Sequence, residues 1–369
     1  VRVTRLEFRN LRRFESGSLA PASGLNLLTG ANGSGKTSVL EALHLMSYGR
    51  SFRGRVRDGL VRAGAEAVEV FVEWEEHAGG KRTRRAGLRH SGGTWEGRLD
   101  GADLGQLGDL CAALAVVTFE PGSHALVTGA ADQRRRFMDW GLFHVEPEFL
   151  GWWRQYSRAL KQRNALLKAR GQAGQLDAWE RELVRAGEPL TAYRERYLEQ
   201  LAPFLRAAGE ALLPEAGKWS LQFQPGWRRD DLPLSDALLL ARERDLAAGF
   251  TSVGPHRADW RIQQSGIPGR DALSRGQGKL TALAALLAQA EYLAAALGEW
   301  PVVALDDLAS ELDRAHQAMV LERLAGYGAQ VVITGTEPPP GLPAGLPVQM
   351  FHVEHGAVTA AEGMPSPPA

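Results

Sequence analysis

Gly30-Ala31-Asn32-Gly33-Ser34-Gly35-Lys36-Thr37-Ser38 meets every required position of the pattern G-x-x-x-x-G-K-[ST]. The apolar run Leu25-Asn26-Leu27-Leu28 before it reads as a buried strand, and Val39, Leu40, Leu43 and Met46 after it keep a helical spacing. A strand, a glycine-rich loop and a helix start are what a phosphate-binding loop requires. The glycines let backbone N–H groups converge on an anion, and the helix N-terminus adds its dipole. Gly30, Asn32, Gly33, Ser34, Gly35, Lys36, Thr37 and Ser38 are therefore the expected contacts to a nucleoside triphosphate, and Arg12 and Arg13 beside them suit nucleotide or DNA equally. Lys36 is expected to reach the terminal phosphates, and Thr37 to offer its hydroxyl to Mg²⁺.

Pro301-Val302-Val303-Ala304-Leu305-Asp306-Asp307 supplies the other half of such a site. A buried parallel strand would deliver both carboxylates to the carboxyl end of the sheet, where ligands of α/β folds sit. Asp306 is the expected Mg²⁺ partner, and Asp307 the group that orients and activates a water, with Lys36 its catalytic companion. The alternative for the pair is to cap the next turn. Leu273-Ser274-Arg275-Gly276-Gln277 lies 32 residues before Asp306 and opens an apolar helix, a further anion site at a helix start.

The remaining chain divides by character. Residues 1–8 alternate as a strand, and Val68, Val70, Val72 and Trp74 mark a half-solvated antiparallel strand that 81–90 and 94–99 extend into a meander. Residues 131–143 and 147–170 read as helices, with Phe149, Trp153, Tyr156, Leu160, Arg163 and Leu167 on a near-heptad seam. A turn at 171–174 leads into a return helix over 175–212 that Pro189 and Pro203 are expected to kink or split. The hairpin should then measure about 35–40 Å at 1.5 Å per residue. The chain next alternates short strands and helices, and 348–358 reads as a hairpin.

The expected fold class is α/β, a mixed sheet with helices plus an antiparallel β subdomain and a helical hairpin, with 363–369 a disordered tail. Charges balance, with 43 basic and 43 acidic residues, so any nucleic-acid surface must be local. Arg50, Arg53, Arg55 and Arg57 form one basic cluster and Lys81, Arg82, Arg84 and Arg85 another, both suited to DNA phosphates. Glu75, Glu76 and Asp58 lie close enough in sequence to neutralise some of them. The single Cys111, among apolar neighbours, suits a buried thiol in a reducing cytosol. No apolar run is expected to be long enough to span a bilayer, which points to a cytoplasmic protein.

Taken in order, the phosphate loop, Leu-Ser-x-Gly-Gln, the strand ending Asp-Asp and Ala309-Ser310-Glu311-Leu312-Asp313 resemble the ABC-type ATPases of the SMC class. Gly49–Arg53, Gln133–Asp139 and Gly254-Pro255-His256-Arg257-Ala258-Asp259 strengthen the likeness to the bacterial recombination mediators within it. That resemblance implies a P-loop ABC/SMC-type ATPase head carrying an inserted α-helical lobe, with residues 1–125 and 250–362 forming the ATPase lobe and 126–249 the helical lobe. It further implies a weak, nucleoid-associated ATPase that dimerises on double-stranded, gapped or single-stranded DNA when ATP binds, and that acts with RecR and RecO to load RecA. It also implies that Ser274, Arg275, Gly276 and Gln277 act in trans on the partner's ATP. Ser310 and Asp313 would line the dimer seam, and Thr334 would stand at the switch position. A glutamine that ligates Mg²⁺ in the class has no clear counterpart; Glu120 alone lies near its place. His256 is expected to be packed and hydrogen-bonded. A transporter ATPase subunit would carry its signature much nearer the phosphate loop than the 238 residues separating Lys36 from Ser274. A small-molecule kinase would have no use for that signature.

Overall fold

The computed structural model describes residues 1–54, 59–169, 173–269, 272–340, 342 and 347–360. The chain begins with β1 (Arg2–Leu11), β2 (Phe14–Leu19), β3 (Leu25–Thr29) and α1 (Lys36–Tyr48). The meander β4 (Ala67–Glu76), β5 (Arg82–Ser91), β6 (Thr94–Leu99) and β7 (Ala102–Asp103) follows, then α2 (Leu107–Ala113) and β8 (Val116–Phe119). Next come α3 (Ala125–Thr128), α4 (Ala131–Val145), α5 (Phe149–Lys168), α6 (Ala173–Leu212), β9 (Trp219–Gln224), α7 (Leu234–Ala248) and β10 (Asp259–Gln264). The chain closes through α8 (Arg275–Leu297), β11 (Val302–Leu305), α9 (Leu308–Glu311), α10 (Arg314–Gly326), β12 (Val331–Gly335), β13 (Val348–Glu354) and β14 (Ala357–Ala360).

Two compact units result, Val1–Ser123 with Leu283–Ala369, and His124–Ala282. Residues 250–282, expected with the ATPase lobe, group instead with the helical unit, because β10 pairs with β9 across six residues. The second boundary falls within α8.

The first unit holds two six-stranded sheets. One is antiparallel, ordered β2-β1-β4-β5-β6-β7, and takes in the expected meander. The other is ordered β14-β13-β3-β12-β11-β8 and is parallel except for the β13–β14 hairpin. Helix α1 touches strands of both sheets. That explains why eleven of its thirteen residues are buried rather than one stripe. Its buried polar groups are matched: His44 Nδ1 meets Thr118 Oγ1 at 3.0 Å, and Ser47 Oγ accepts from Val116 N at 3.1 Å. Cys111 is buried against α1, and burial pushes its thiol up to about 12, which makes it inert.

In the second unit α5 and α6 form the helical hairpin, about 30 Å and about 60 Å long at 1.5 Å per residue. The return arm is longer than its spacing suggested and runs unbroken through Pro189 and Pro203, with Gly174 already helical. Each proline deletes one N–H donor, while buried Ala186, Leu190, Leu201 and Leu205 hold the helix across the gaps. Ala173 is helical too, and residues 171–172 of the expected turn, like the 363–369 tail, lie outside the described residues. Arg163, the charged member of the α5 seam, is fully buried and donates to Glu180 at 2.9 Å, Asp245 at 2.7 Å and Thr251 Oγ1 at 2.9 Å.

Helix α8 corrects one expectation, being long and apolar enough to cross a membrane. Its most apolar window is 72% buried in the protein, as befits a core helix.

Burial holds three histidines neutral: His44 at about 3, His144 at about 4 and His256 at about 4, all below the usual 6.5. The unfolded chain therefore binds more protons below pH 6.5, and these sites withdraw stability as pH falls through 6.5 toward 4. The thermal midpoint should decline over that interval. Nε2 of His144 has no hydrogen-bond partner, so His144→Phe should flatten the decline in a calorimetric pH series. An unchanged slope would contradict the assignment.

Candidate nucleotide site

Strand β3 ends at Thr29 and the chain enters the phosphate loop with Gly30 at φ 151°, Gly33 at φ 78° and Gly35 at φ 117°. A Cβ on Gly30 would stand 2.3 Å from the Val353 carbonyl oxygen, and one on Gly35 would stand 2.6 Å from the Phe14 ring. Both positions thus exclude a side chain on conformational and steric grounds together. Lys36 opens α1 with its Nζ donating to the carbonyls of Gly30 at 2.7 Å and Ala31 at 2.9 Å. Burial lowers its pKa, and the nearby Asp307 and Asp306 carboxylates oppose that.

Register brings the second motif to the same place. Strand β12 lies between β3 and β11, so the carboxyl ends of all three coincide. Asp306 follows β11, and its Oδ1 accepts from Thr37 Oγ1 at 3.0 Å and Thr334 Oγ1 at 2.7 Å. Asp307 N donates to Thr334 Oγ1 at 2.9 Å. Thr334, at the expected switch position after β12, spends its only proton on Asp306, and it is 2% exposed. Burial pushes the Asp306 carboxyl up, the two threonine hydroxyls pull it down, and Asp307 adds to the rise. Asp307 adopts φ 50°, uncommon for a non-glycine residue, and its side chain makes no cap bond to α9. It is therefore not the simple turn cap that was the alternative.

These groups line a cleft of about 720 Å³ bounded by Arg12, Arg53, Lys36, Thr37, Asp307 and Thr334, among others. Arg12 faces it from a φ of 56°, but its guanidinium is forked on Glu41, Nε to Oε2 at 2.9 Å and Nη2 to Oε1 at 2.7 Å. Its first role is thus to neutralise a fully buried carboxylate. Arg53, grouped by sequence with a DNA cluster, lines this cleft with Nη1 3.4 Å from Ser38 Oγ and 3.9 Å from Glu41. Ser51 Oγ also donates to Glu41. Glu41 went unnoticed in the sequence, although a glutamate inside an otherwise apolar helix was the available signal.

The other expected residues are placed as follows. Ser274 and Gln277 form a reciprocal capping box at the start of α8, Ser274 N to Gln277 Oε1 at 3.0 Å and Gln277 N to Ser274 Oγ at 3.2 Å. Ser274, Arg275 and Gly276 are exposed there. Ser310 is exposed, and Asp313 caps α10, accepting from His316 N at 3.0 Å and meeting His316 Nδ1 at 2.7 Å. Those bonds hold the Asp313 carboxyl below its usual range. Glu120 follows β8, next to β11, and accepts from Gly122 N at 2.5 Å.

Of the basic clusters, Arg55 and Arg57 lie outside the described residues, as does Asp58, and Arg50 is exposed. Lys81 pairs with Glu75 at 2.9 Å, Arg82 with Asp100 at 3.5 Å, and Arg84 with Glu76 at 3.4 Å and Asp100 at 3.0 Å. Arg85 is exposed, and its backbone N–H donates to Asp100. The meander cluster is thus largely occupied by neighbouring carboxylates. Asp100 was the neutralising acid that the sequence reading did not name.

The model of the RecF/RecN/SMC N-terminal domain matches residues 2–358. The DNA replication and repair protein RecF of Stenotrophomonas maltophilia (strain R551-3) is 64% identical over 98% of this chain and 100% of its own length. The chain belongs to the RecF family. RecF of Thioalkalivibrio sulfidiphilus (strain HL-EbGR7) is 40% identical over 98% of the chain and 99% of its own. Among solved structures, the recombination mediator RecF bound to ATP in the RecFOR pathway superposes with a TM-score of 0.86 at 26% identity, covering 98% of both chains. An Smc head bound to the ScpA winged-helix domain, at 15% identity and a TM-score of 0.58, shares the fold. The SMC-class resemblance drawn from the motifs is therefore upheld over nearly the whole RecF chain.

Proposed function

We propose that this RecF chain is an ATP-switched DNA-binding protein of recombinational repair and replication restart, a homodimer when ATP-bound, reset by slow hydrolysis of ATP to ADP and phosphate. The observation that carries the reading is the hydrogen-bonded chain Thr37–Asp306–Thr334–Asp307, which joins the phosphate loop to the two-aspartate strand at one cleft. Lys36, the loop backbone and Arg53 would hold the triphosphate, with Asn32, Gly33, Ser34 and Ser38 around it. Thr37 and Asp306 would hold Mg²⁺. One hydroxyl and one carboxylate, with phosphate oxygens completing the shell, suit a hard cation that binds through substrate. Bound there, the ion would neutralise charge on the phosphates. Asp307 lines the cleft with a side chain free of capping duty, and it would orient and deprotonate the attacking water. Thr334 is held by Asp306 rather than offered to that water, which supports slow turnover.

The exposed Ser274 hydroxyl at the N-terminus of a long helix is presented as a group meeting a phosphate on a second copy must be. Arg275, Gly276 and Gln277 would close with it, and Ser310 and Asp313 would line the seam. The RecFOR pathway named for the solved relative supports partnership with RecR and RecO, and through them with RecA, on gapped DNA.

Light scattering with ATP and gapped DNA tests the mechanism. Wild type and Asp307→Asn should dimerise with ATP, the latter persistently, while Lys36→Met and Ser274→Arg stay monomeric. Normal ATP-dependent dimers of Ser274→Arg would rule out the trans arrangement.

A further inference from the structure

Gly254-Pro255-His256-Arg257-Ala258-Asp259 is held more tightly than its turn geometry needs. Gly254 sits at φ 123°, where a Cβ would lie 2.8 Å from the Tyr156 hydroxyl. Arg194 Nη1 donates to Pro255 O at 2.7 Å while its Nε and Nη2 fork onto buried Asp139, both at 2.8 Å. Arg135 Nη1 donates to Ala258 O at 2.8 Å, and Arg134 forks onto Asp259 at 2.6 and 3.0 Å. His256 Nε2–H donates to Thr251 O at 2.9 Å, which leaves Nδ1 to accept from the Tyr156 hydroxyl at 2.7 Å. The His256 and Asp259 side chains and the Pro255 and Ala258 carbonyls are thereby committed inward. Arg257 is exposed: its Nη2 donates to Thr251 O at 3.4 Å, and its guanidinium lies 5.2 Å from the ring centroid of Phe250.

Phe250 is itself 43% exposed, one of few large apolar side chains on the surface. It belongs to the loop Gly249–Ser252, pinned from inside where Thr251 N and Oγ1 both donate to Asn164 Oδ1 and Arg163 holds Thr251 Oγ1. Two more cations border this loop. Arg244 donates to Ser252 Oγ through Nε at 3.0 Å and Nη2 at 2.6 Å, and the Lys168 stem lies 3.6 Å from where a Cβ on Gly249 would stand. Both are exposed. None of Lys168, Arg244 and Arg257 has a carboxylate partner among the described residues, and the adjacent Asp245 is spent on Arg163 and Ser252. The contrast with Lys81, Arg82 and Arg84, each paired with an acid, is direct.

We propose that Lys168, Arg244, Arg257 and Phe250 form a single-stranded DNA contact, three cations for backbone phosphates around a ring on which one unpaired base stacks. The assignment rests on the DNA-binding reading above and adds to it where an unpaired strand lies. Carboxylate-free cations at a rigid loop keep their charge available for phosphates. An exposed aromatic backed by a guanidinium is a stacking platform that an intact duplex cannot use, because its bases are already stacked. An acidic protein surface would satisfy the cations but leave the ring without a partner.

Fluorescence anisotropy of the full chain with saturating ATP, using a labelled oligothymidylate of about 20 nucleotides and a blunt duplex of equal length, tests this. Phe250→Ala should weaken the oligothymidylate about five-fold or more and leave the duplex within about two-fold. Replacing Lys168, Arg244 and Arg257 together by alanine should weaken both, lowering the slope of log affinity against log salt by about 2 for the single strand. An iodouracil-substituted strand should crosslink to the peptide containing Phe250 in the unmodified protein, a readout no folding defect can mimic. Oligothymidylate affinities of both variants within about two-fold of wild type, or crosslinks confined to other peptides, would overturn the assignment while leaving DNA binding intact. Failure of the wild type to bind either DNA would overturn the DNA-binding reading as well.

Discussion

Lys36→Met is expected to abolish ATP binding, with affinity reduced about 100-fold or more, while the fold survives. Lys36 is 9% exposed, and its ammonium rests on the Gly30 and Ala31 carbonyls at 2.7 and 2.9 Å. Asp306 and Asp307 oppose the loss of its charge on burial. A triphosphate entering the cleft would offer full negative charge in place of two carbonyl dipoles. Charge-assisted bonds of that kind contribute about 1.5–3 kcal/mol each, and two of them approach a hundred-fold or more in affinity. Methionine keeps the aliphatic stem packed and deletes the charge, leaving two loop carbonyls that water can reach. Titration of a fluorescent ATP analogue against both proteins, with thermal midpoints alongside, separates binding from stability. An affinity within ten-fold of wild type would mean that the loop backbone, rather than Lys36, holds the phosphates. Asp306→Ala would then become the more informative variant, since it unlinks Thr37 from Thr334.

The parts of the RecF site legible in the sequence are those whose chemistry is local. A phosphate loop needs glycines where φ is positive, and Gly30, Gly33 and Gly35 occupy such values. Two carboxylates ending a buried parallel strand must emerge at the carboxyl end of the sheet, and parallel pairing of β11 with β12 and of β12 with β3 places Asp306 beside Thr37. What the sequence did not reveal is pairing across the fold. Arg53 and Arg84 stood in similar basic runs, yet one lines the ATP cleft and the other lies between Glu76, Asp100 and the Trp74 ring. Only tertiary structure decides which arginine meets an acid. The prolines of α6 misled for the same reason. Propensity counts a missing donor, whereas the buried flanks of a long amphipathic helix outweigh one lost bond at each site. The recombination-mediator motifs around residues 133–139 and 254–259 were visible as patterns, but their work as mutual braces, Arg134 on Asp259 and Arg135 on the Ala258 carbonyl, was not.

Arg163→Ala should produce the largest loss of stability in the helical unit, about 3–5 kcal/mol, because it leaves buried carboxylates without their cation. Arg163 and Asp245 are both fully buried, and Glu180 is 8% exposed. The guanidinium joins α5 to α6 through Glu180, to α7 through Asp245, and to the Phe250 loop through Thr251. Arg242 also donates to Glu180, so that carboxylate keeps one cation after the substitution. Asp245 keeps only Ser252. Asp245→Asn provides the comparison. It removes the charge and leaves Arg163 paired with Glu180, so its cost should be smaller. Hydrogen exchange across α5, α6 and α7 reads the opening free energy of this unit directly. Faster exchange confined to the Gly249–Ser252 loop, with the three helices unchanged, would show that Arg163 braces the loop alone. Uniform acceleration of α5, α6 and α7 would show that the charged seam residue holds the hairpin together where a leucine would ordinarily do so.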